Sequence, residues 1–186
     1  MSDKPSYLGL LNAIALGETR GHELLEAWAA ATQVPELRRE LENVSIREAE
    51  HAAVFRKRLC ELGYDLRQTP SATFDDDLAL ARSAASDEEK FARLIGAEID
   101  AASNDPLSRL FDDPTIDPQT GALLGRFIAE ERDSERRLRA ARQALKPAVD
   151  SKDTASSGDE ALLGDILSRL DRLGATLDSL KSLRTT

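Results

Sequence analysis

A chain of 186 residues with 41% hydrophobic and 32% charged side chains can bury one core and still carry an appendage, and 4% aromatic content beside abundant Ala, Leu, Glu and Arg favours helices over sheets. The formal net charge of -9 argues against non-specific binding to nucleic acid or to an anionic membrane, both of which attract basic patches, and makes cations the natural partners. A single cysteine, Cys60, excludes an intrachain disulfide framework and a Cys-based zinc site. The N-terminal Met1-Ser2-Asp3-Lys4-Pro5-Ser6 lacks a basic and apolar signal, and no run approaches the ~18 apolar residues of a membrane span, so a soluble, cytoplasmic protein is expected.

In chain order, a first helix is expected from near Ser6 to about Thr32. Its stripe is Leu11, Ala15, Glu18, His22, Leu25 and Ala29, with a second row of Leu10, Ile14, Gly17, Gly21, Leu24 and Trp28 alongside. Glu18 thus falls among core positions, and the glycines flanking it would let a neighbouring helix come close. Gln33-Val34-Pro35 breaks this helix, and Pro35 suits the first turn of the next. The second helix runs to Gly63, a C-terminal cap. It carries Leu37, Leu41, Val44, Glu48, His51, Phe55 and Leu62 at helical intervals, with Leu59 beside them. A carboxylate in such a stripe costs several kcal/mol unless it is paired or coordinated, and Glu48 and His51 sit three residues apart inside it.

The segment from Tyr64 to Phe74 contains Pro70 and polar residues and is expected as a crossover; at ~3.3 Å per residue it covers on the order of 35 Å. Two start signals follow for a third helix, Asp75-Asp76-Asp77 and the capping box Ser86-Asp87-Glu88-Glu89, which leave open whether it begins at the first, at the second or kinks between them. That helix carries Phe91, Ile95, Glu98 and Ala102, with Leu94 next to the row, and ends at Asn104-Asp105-Pro106. After a breaker-rich stretch around Pro114, a fourth helix opens with Pro118 and continues to about Lys146, its stripe being Leu124, Phe127, Glu131, Ser134, Leu138, Ala141 and Leu145. Glu130 and Glu135 are further acids on it, so the register of the fourth buried acid is open by a residue.

Glu18 and Glu48 are 30 residues apart with their turn near the midpoint, so an antiparallel hairpin places both at one height, roughly 20 Å from the turn. Glu98 and Glu131, 33 residues apart about Pro114, repeat the arrangement. The competing expectation is that these four glutamates pair with arginines as interhelical salt bridges; Arg20, Arg47, Arg93 and Arg132, however, fall beside the stripes at positions expected to be solvated.

Over about residues 6 to 146 this constellation resembles the ferritin-like superfamily, including ferritins and rubrerythrins, whose pattern is Glu, Glu-x-x-His, Glu and often a second Glu-x-x-His on successive helices. The resemblance implies an all-α, ferritin-like antiparallel four-helix bundle with a long crossover that encloses two iron ions, manganese being the alternative. Carried across, the metal ligands are Glu18, Glu48, His51, Glu98 and Glu131, with Glu18 and Glu98 terminal, Glu48 and Glu131 bridging or bidentate, and His51 the imidazole on one ion. Ser134 stands where the second histidine would be, and His22, one turn beyond Glu18, is a candidate to replace it. The implied function is iron binding and oxidation or peroxide-related redox chemistry; the alternative is a metal-free ferritin-like interaction module.

Residues 147–159 have linker composition. Beyond them Leu163, Ile166, Leu170, Leu173, Leu177 and Leu180 form a heptad seam over residues 160–184, an amphipathic, coiled-coil-like helix with more apolar face than it can hide alone. Self-association into a homo-oligomer is the economical expectation. A second is an address tag, since Leu177-Asp178-Ser179-Leu180-Lys181 resembles the C-terminal peptides that load ferritin-like cargo into encapsulin shells.

Overall fold

The computed structural model describes residues 4–95 and 114–145. Among them every regular element is helical. Helix α1 spans Leu8–Ala31 and α2 spans Pro35–Glu61. Between them Thr32 turns extended and Pro35 takes the start of α2, where its missing N–H costs nothing. The two pack as an antiparallel hairpin: Arg38 donates to the Ala29 carbonyl near the turn, Ser45 meets His22 further along, and His51 meets Glu18 further still. Helix α2 closes on Gly63, whose φ of 82° is the left-handed conformation that favours glycine.

The chain then runs back along α1. The backbone N–H of Arg67 donates to Asn12 Oδ1 at 2.7 Å, Asn12 Nδ2 returns a bond to the Arg67 carbonyl at 2.9 Å, and Arg20 donates to the Thr69 carbonyl. Helix α3, Phe74–Arg82, packs on α1 as well. Both start signals are used. The aspartates open α3, and after a break at residues 83–86 Ser86 Oγ accepts the Glu89 N–H at 3.2 Å to cap α4, Asp87–Lys90. Of the three options left open, the chain takes neither one start nor a simple kink but two separate helices, because Ser83 and Ser86 both take extended backbone between them. Helix α4 passes into a π-helical turn, Phe91–Ile95. The continuation that would carry Glu98 and Ala102 lies outside the described residues, as do the 147–159 linker and the 160–184 segment.

Asp87 fixes where α4 begins. Its carboxylate accepts Trp28 Nε1–H at 2.6 Å and the Thr32 hydroxyl at 2.7 Å, which pins α4 to the turn end of α1. Trp28 has no exposed surface, so Asp87→Ala leaves a buried indole N–H without its acceptor. The expected loss is about 2–3 kcal/mol in urea unfolding; a change below about 0.5 kcal/mol would show that the bond is not formed in solution.

Helix α5, Pro118–Leu145, starts at the opposite end and runs antiparallel to α2, with Thr120 beside Arg58, Glu130 beside His51, Ser134 beside Arg47 and Arg137 beside Glu40. Its first turn is held by Asp117, which accepts the N–H groups of Gln119 and Thr120, each at 3.0 Å.

The apolar core is divided into two clusters. One gathers Leu11, Ile14, Phe55, Leu59, Leu124 and Phe127 at the Asp117 end. The other gathers Leu25, Trp28, Leu37, Leu41, Phe91 and Leu138 at the turn end. Between them lie Glu18, Ser45, Glu48, His51 and Ser134, all buried. One expectation fails near this layer: Gly17 is exposed, and a Cβ placed there would meet nothing within 4 Å, so it does not admit a close helix.

Candidate metal centre

Each long helix brings its polar residues to the layer by the same periodicity that buries its leucines. On α1, Glu18 follows Leu11, Ile14 and Ala15 on the inner face and is 7% exposed; on α2, Glu48 and His51 follow Leu41 and Val44 and are 1% and 6% exposed. Helix α5 supplies Glu130 and Glu131 in the turn after Phe127.

His51 is the hub. Its Nδ1 lies 3.1 Å from Glu18 Oε2 and 3.4 Å from Glu131 Oε1, while Nε2 lies 2.8 Å from Glu130 Oε2. The ring edge packs on Phe127 with centroids 5.0 Å apart, and Phe127 in turn packs on Phe55, so apolar neighbours fix the imidazole plane. Burial opposes the charged imidazolium, but bonds to Glu131, Glu18 and Glu130 outweigh it and push the His51 pKa up to about 10. Glu130 is correspondingly held below the usual carboxylate range, its burial outweighed by His51 and by Arg126, whose Nε donates to it at 2.9 Å.

Glu18, His51 and Glu131 offer one ligand atom each, all within 4.8 Å of one another. Two carboxylate oxygens and an imidazole nitrogen form a donor set suited to iron, manganese or zinc. Of the residues expected from the sequence, these three come together. Glu48 is buried one turn before His51 on α2 but is not one of that trio, and Glu98 lies outside the described residues. His22 does not join: its Nδ1 faces Ser45, 2.8 Å from Oγ and 3.1 Å from the carbonyl oxygen.

Glu130 is the residue that periodicity undervalued. It lies off the α5 stripe through Phe127 and Ser134, yet it faces the seam with α2 and reaches the outer nitrogen of His51. The signal was its position four residues after Arg126, the spacing of an intrahelical ion pair. On this side α2 and α5 leave a groove of about 340 Å³ lined by Val54, Leu123 and Phe127, with His51 and Glu130 at its wall.

Arg47, expected as solvated, is instead tied to α5. A single nitrogen, Nη1, donates to the Glu130 carbonyl at 2.9 Å, Asp133 Oδ2 at 3.0 Å and Ser134 Oγ at 2.9 Å. Arg137 and Arg47 together hold the Asp133 carboxyl down to about 2. Arg20 is also engaged, on the crossover, whereas Arg132 is exposed and the Arg93 side chain, 61% exposed, meets only Glu89 among the described residues.

Among the described residues no helix is long and apolar enough to cross a membrane. No protein-family model, curated protein or solved structure matches the chain.

Proposed function

We propose that this chain is a ferritin-like metal protein whose mid-height layer holds iron or manganese through Glu18, His51 and Glu131, with Glu48 and Glu98 as further carboxylates. The observation that carries this reading is the acid and imidazole cluster set between two apolar cores, where unligated charge is costly. The path of the chain supports it. α1 and α2 form a hairpin, the next segment returns along α1, and α5 lies antiparallel to α2, which is the order that two hairpins joined by a long crossover require.

Iron held there would supply one-electron chemistry toward dioxygen or peroxide. The chain's own residues act on the imidazole. Glu130 accepts Nε2–H and so presents Nδ1 to the interior, the carboxylate partner by which ligating histidines are oriented and made more basic. Phe127 holds the ring plane.

Titration of the purified chain with Fe²⁺ under anaerobic conditions, or with Mn²⁺, is expected to give saturable binding by calorimetry. Glu130→Gln should weaken it by about 10–100-fold through loss of orientation. Binding that is absent, or equal in both proteins, would count against the assignment.

A second reading has its own observation. Protonated His51 donates from both nitrogens into carboxylates, so the imidazolium can itself serve as the counter-ion of the layer. The chain would then be a metal-free interaction module acting through residues 160–184. A saturable isotherm with diamagnetic Zn²⁺ that displaces the proton of His51 in NMR separates this reading from the first.

A further inference from the structure

The face of α2 that meets α5 carries Arg47, His51 and Arg58, with Arg47 one helical turn before His51. The two neighbours behave in opposite ways. His51 offers a nitrogen lone pair once its proton leaves, and it sits among carboxylates of α1 and α5. Arg47 offers only N–H donors and a permanent positive charge.

Those donors are spent on the oxygens that would otherwise extend the cluster along α5. Ser134 stands three residues after Glu131, on the same side of α5, with no exposed surface. Its Oγ lies 2.9 Å from Arg47 Nη1, which also binds the Glu130 carbonyl in the preceding turn. A guanidinium there cannot act as a ligand, and its charge, although paired with Asp133 Oδ2 at 3.0 Å, disfavours a cation placed beside it.

We propose that the layer takes one divalent cation per chain, at Glu18, His51 and Glu131, and that Arg47 is a positioning residue whose fixed charge stands where a second cation would otherwise bind. The proposal rests on the metal-binding reading above and sets the number of ions that reading leaves open.

The test uses the full chain and Mn²⁺ alone, with bound metal counted after equilibrium dialysis and the electron paramagnetic resonance spectrum recorded. The wild type is expected to hold one ion with the hyperfine pattern of isolated Mn²⁺, and Arg47→Lys, which keeps the charge, should do the same. Arg47→Gln combined with Ser134→His should hold two ions, a doubling, with the spectrum of a coupled pair. Two ions in the wild type would overturn the proposal while leaving the metal-binding reading intact. One ion in a double variant of unchanged helicity would overturn the role of Arg47. No ion in the wild type would remove the metal-binding reading itself. If the double variant fails to fold, Ser134→His alone decides the role of Arg47: one ion supports it and two overturn it.

Discussion

Replacing His51 with alanine is expected to cost the metal-free chain about 3–5 kcal/mol at neutral pH, the range for removing one partner of a buried ion pair. The substitution takes the only imidazole from between Glu18, Glu131 and Glu130 and removes its packing on Phe127. Of the carboxylates left behind, Glu130 already lines the groove between α2 and α5, whereas Glu18 and Glu131 stay in the interior. Urea unfolding followed by circular dichroism measures the loss, and a change under about 1 kcal/mol would mean that the layer is hydrated and its charges screened.

The wild type should show the same interaction in its alkaline limb. The folded pKa of His51 lies near 10, above the ordinary value of 6.5. Its contribution is therefore complete below about pH 6.5 and is lost as pH rises through about 10. Stability of the metal-free wild type should fall over that window, and His51→Ala should lack that component of the fall.

The second large effect is expected at one end of the molecule, where α5 begins. Asp117 caps α5 through two backbone N–H groups, accepts the Tyr7 hydroxyl at 2.8 Å and the Thr120 hydroxyl at 2.6 Å, and pairs with Arg58 at 2.9 Å. It joins the start of α1, the end of α2 and the start of α5. Asp117→Ala forfeits a helix cap worth about 1 kcal/mol and leaves the largely buried Arg58 guanidinium with fewer acceptors, a loss of about 1.5–3 kcal/mol for a charged hydrogen bond. A total of about 2–4 kcal/mol is expected in chemical unfolding, with Asp117→Asn losing less because it retains a cap. Equal stability of wild type and alanine variant would contradict the hub. Burial opposes ionisation of Asp117, but Thr120, Tyr7 and Arg58 outweigh it and hold its carboxyl well below the ordinary range. Its contribution is thus present above about pH 4 and is lost only in strong acid, as pH falls through the folded value.

Periodicity and punctuation carried most of the helical layout. Pro35, Gly63 and Pro118 act through backbone geometry alone, so they mark helix ends whatever packs around them. The same holds for Ser86 as a cap, although sequence could not decide whether it would interrupt a helix or begin one. For the site, the inner-face spacing of Glu18, His51 and Glu131 was legible because burial repeats with the helix. Arg47 and Asp117 were not, and Glu130 only as an alternative register for the fourth acid. Their roles depend on which flank of α5 faces α2, and a stripe read from one helix gives its inner direction but not the residues at its seams. His22 shows the same limit: it lies on the α1 stripe with Glu18, but the hydroxyl of Ser45 across the hairpin turns its ring aside.

Anomalous scattering at the manganese edge from crystals grown with Mn²⁺ addresses the metal assignment most directly. A peak coordinated by Glu18, Glu131 and Nδ1 of His51, with Nε2 still on Glu130, is the predicted result. A featureless map at that position at saturating Mn²⁺, with the imidazole still bonded to Glu18, would contradict it.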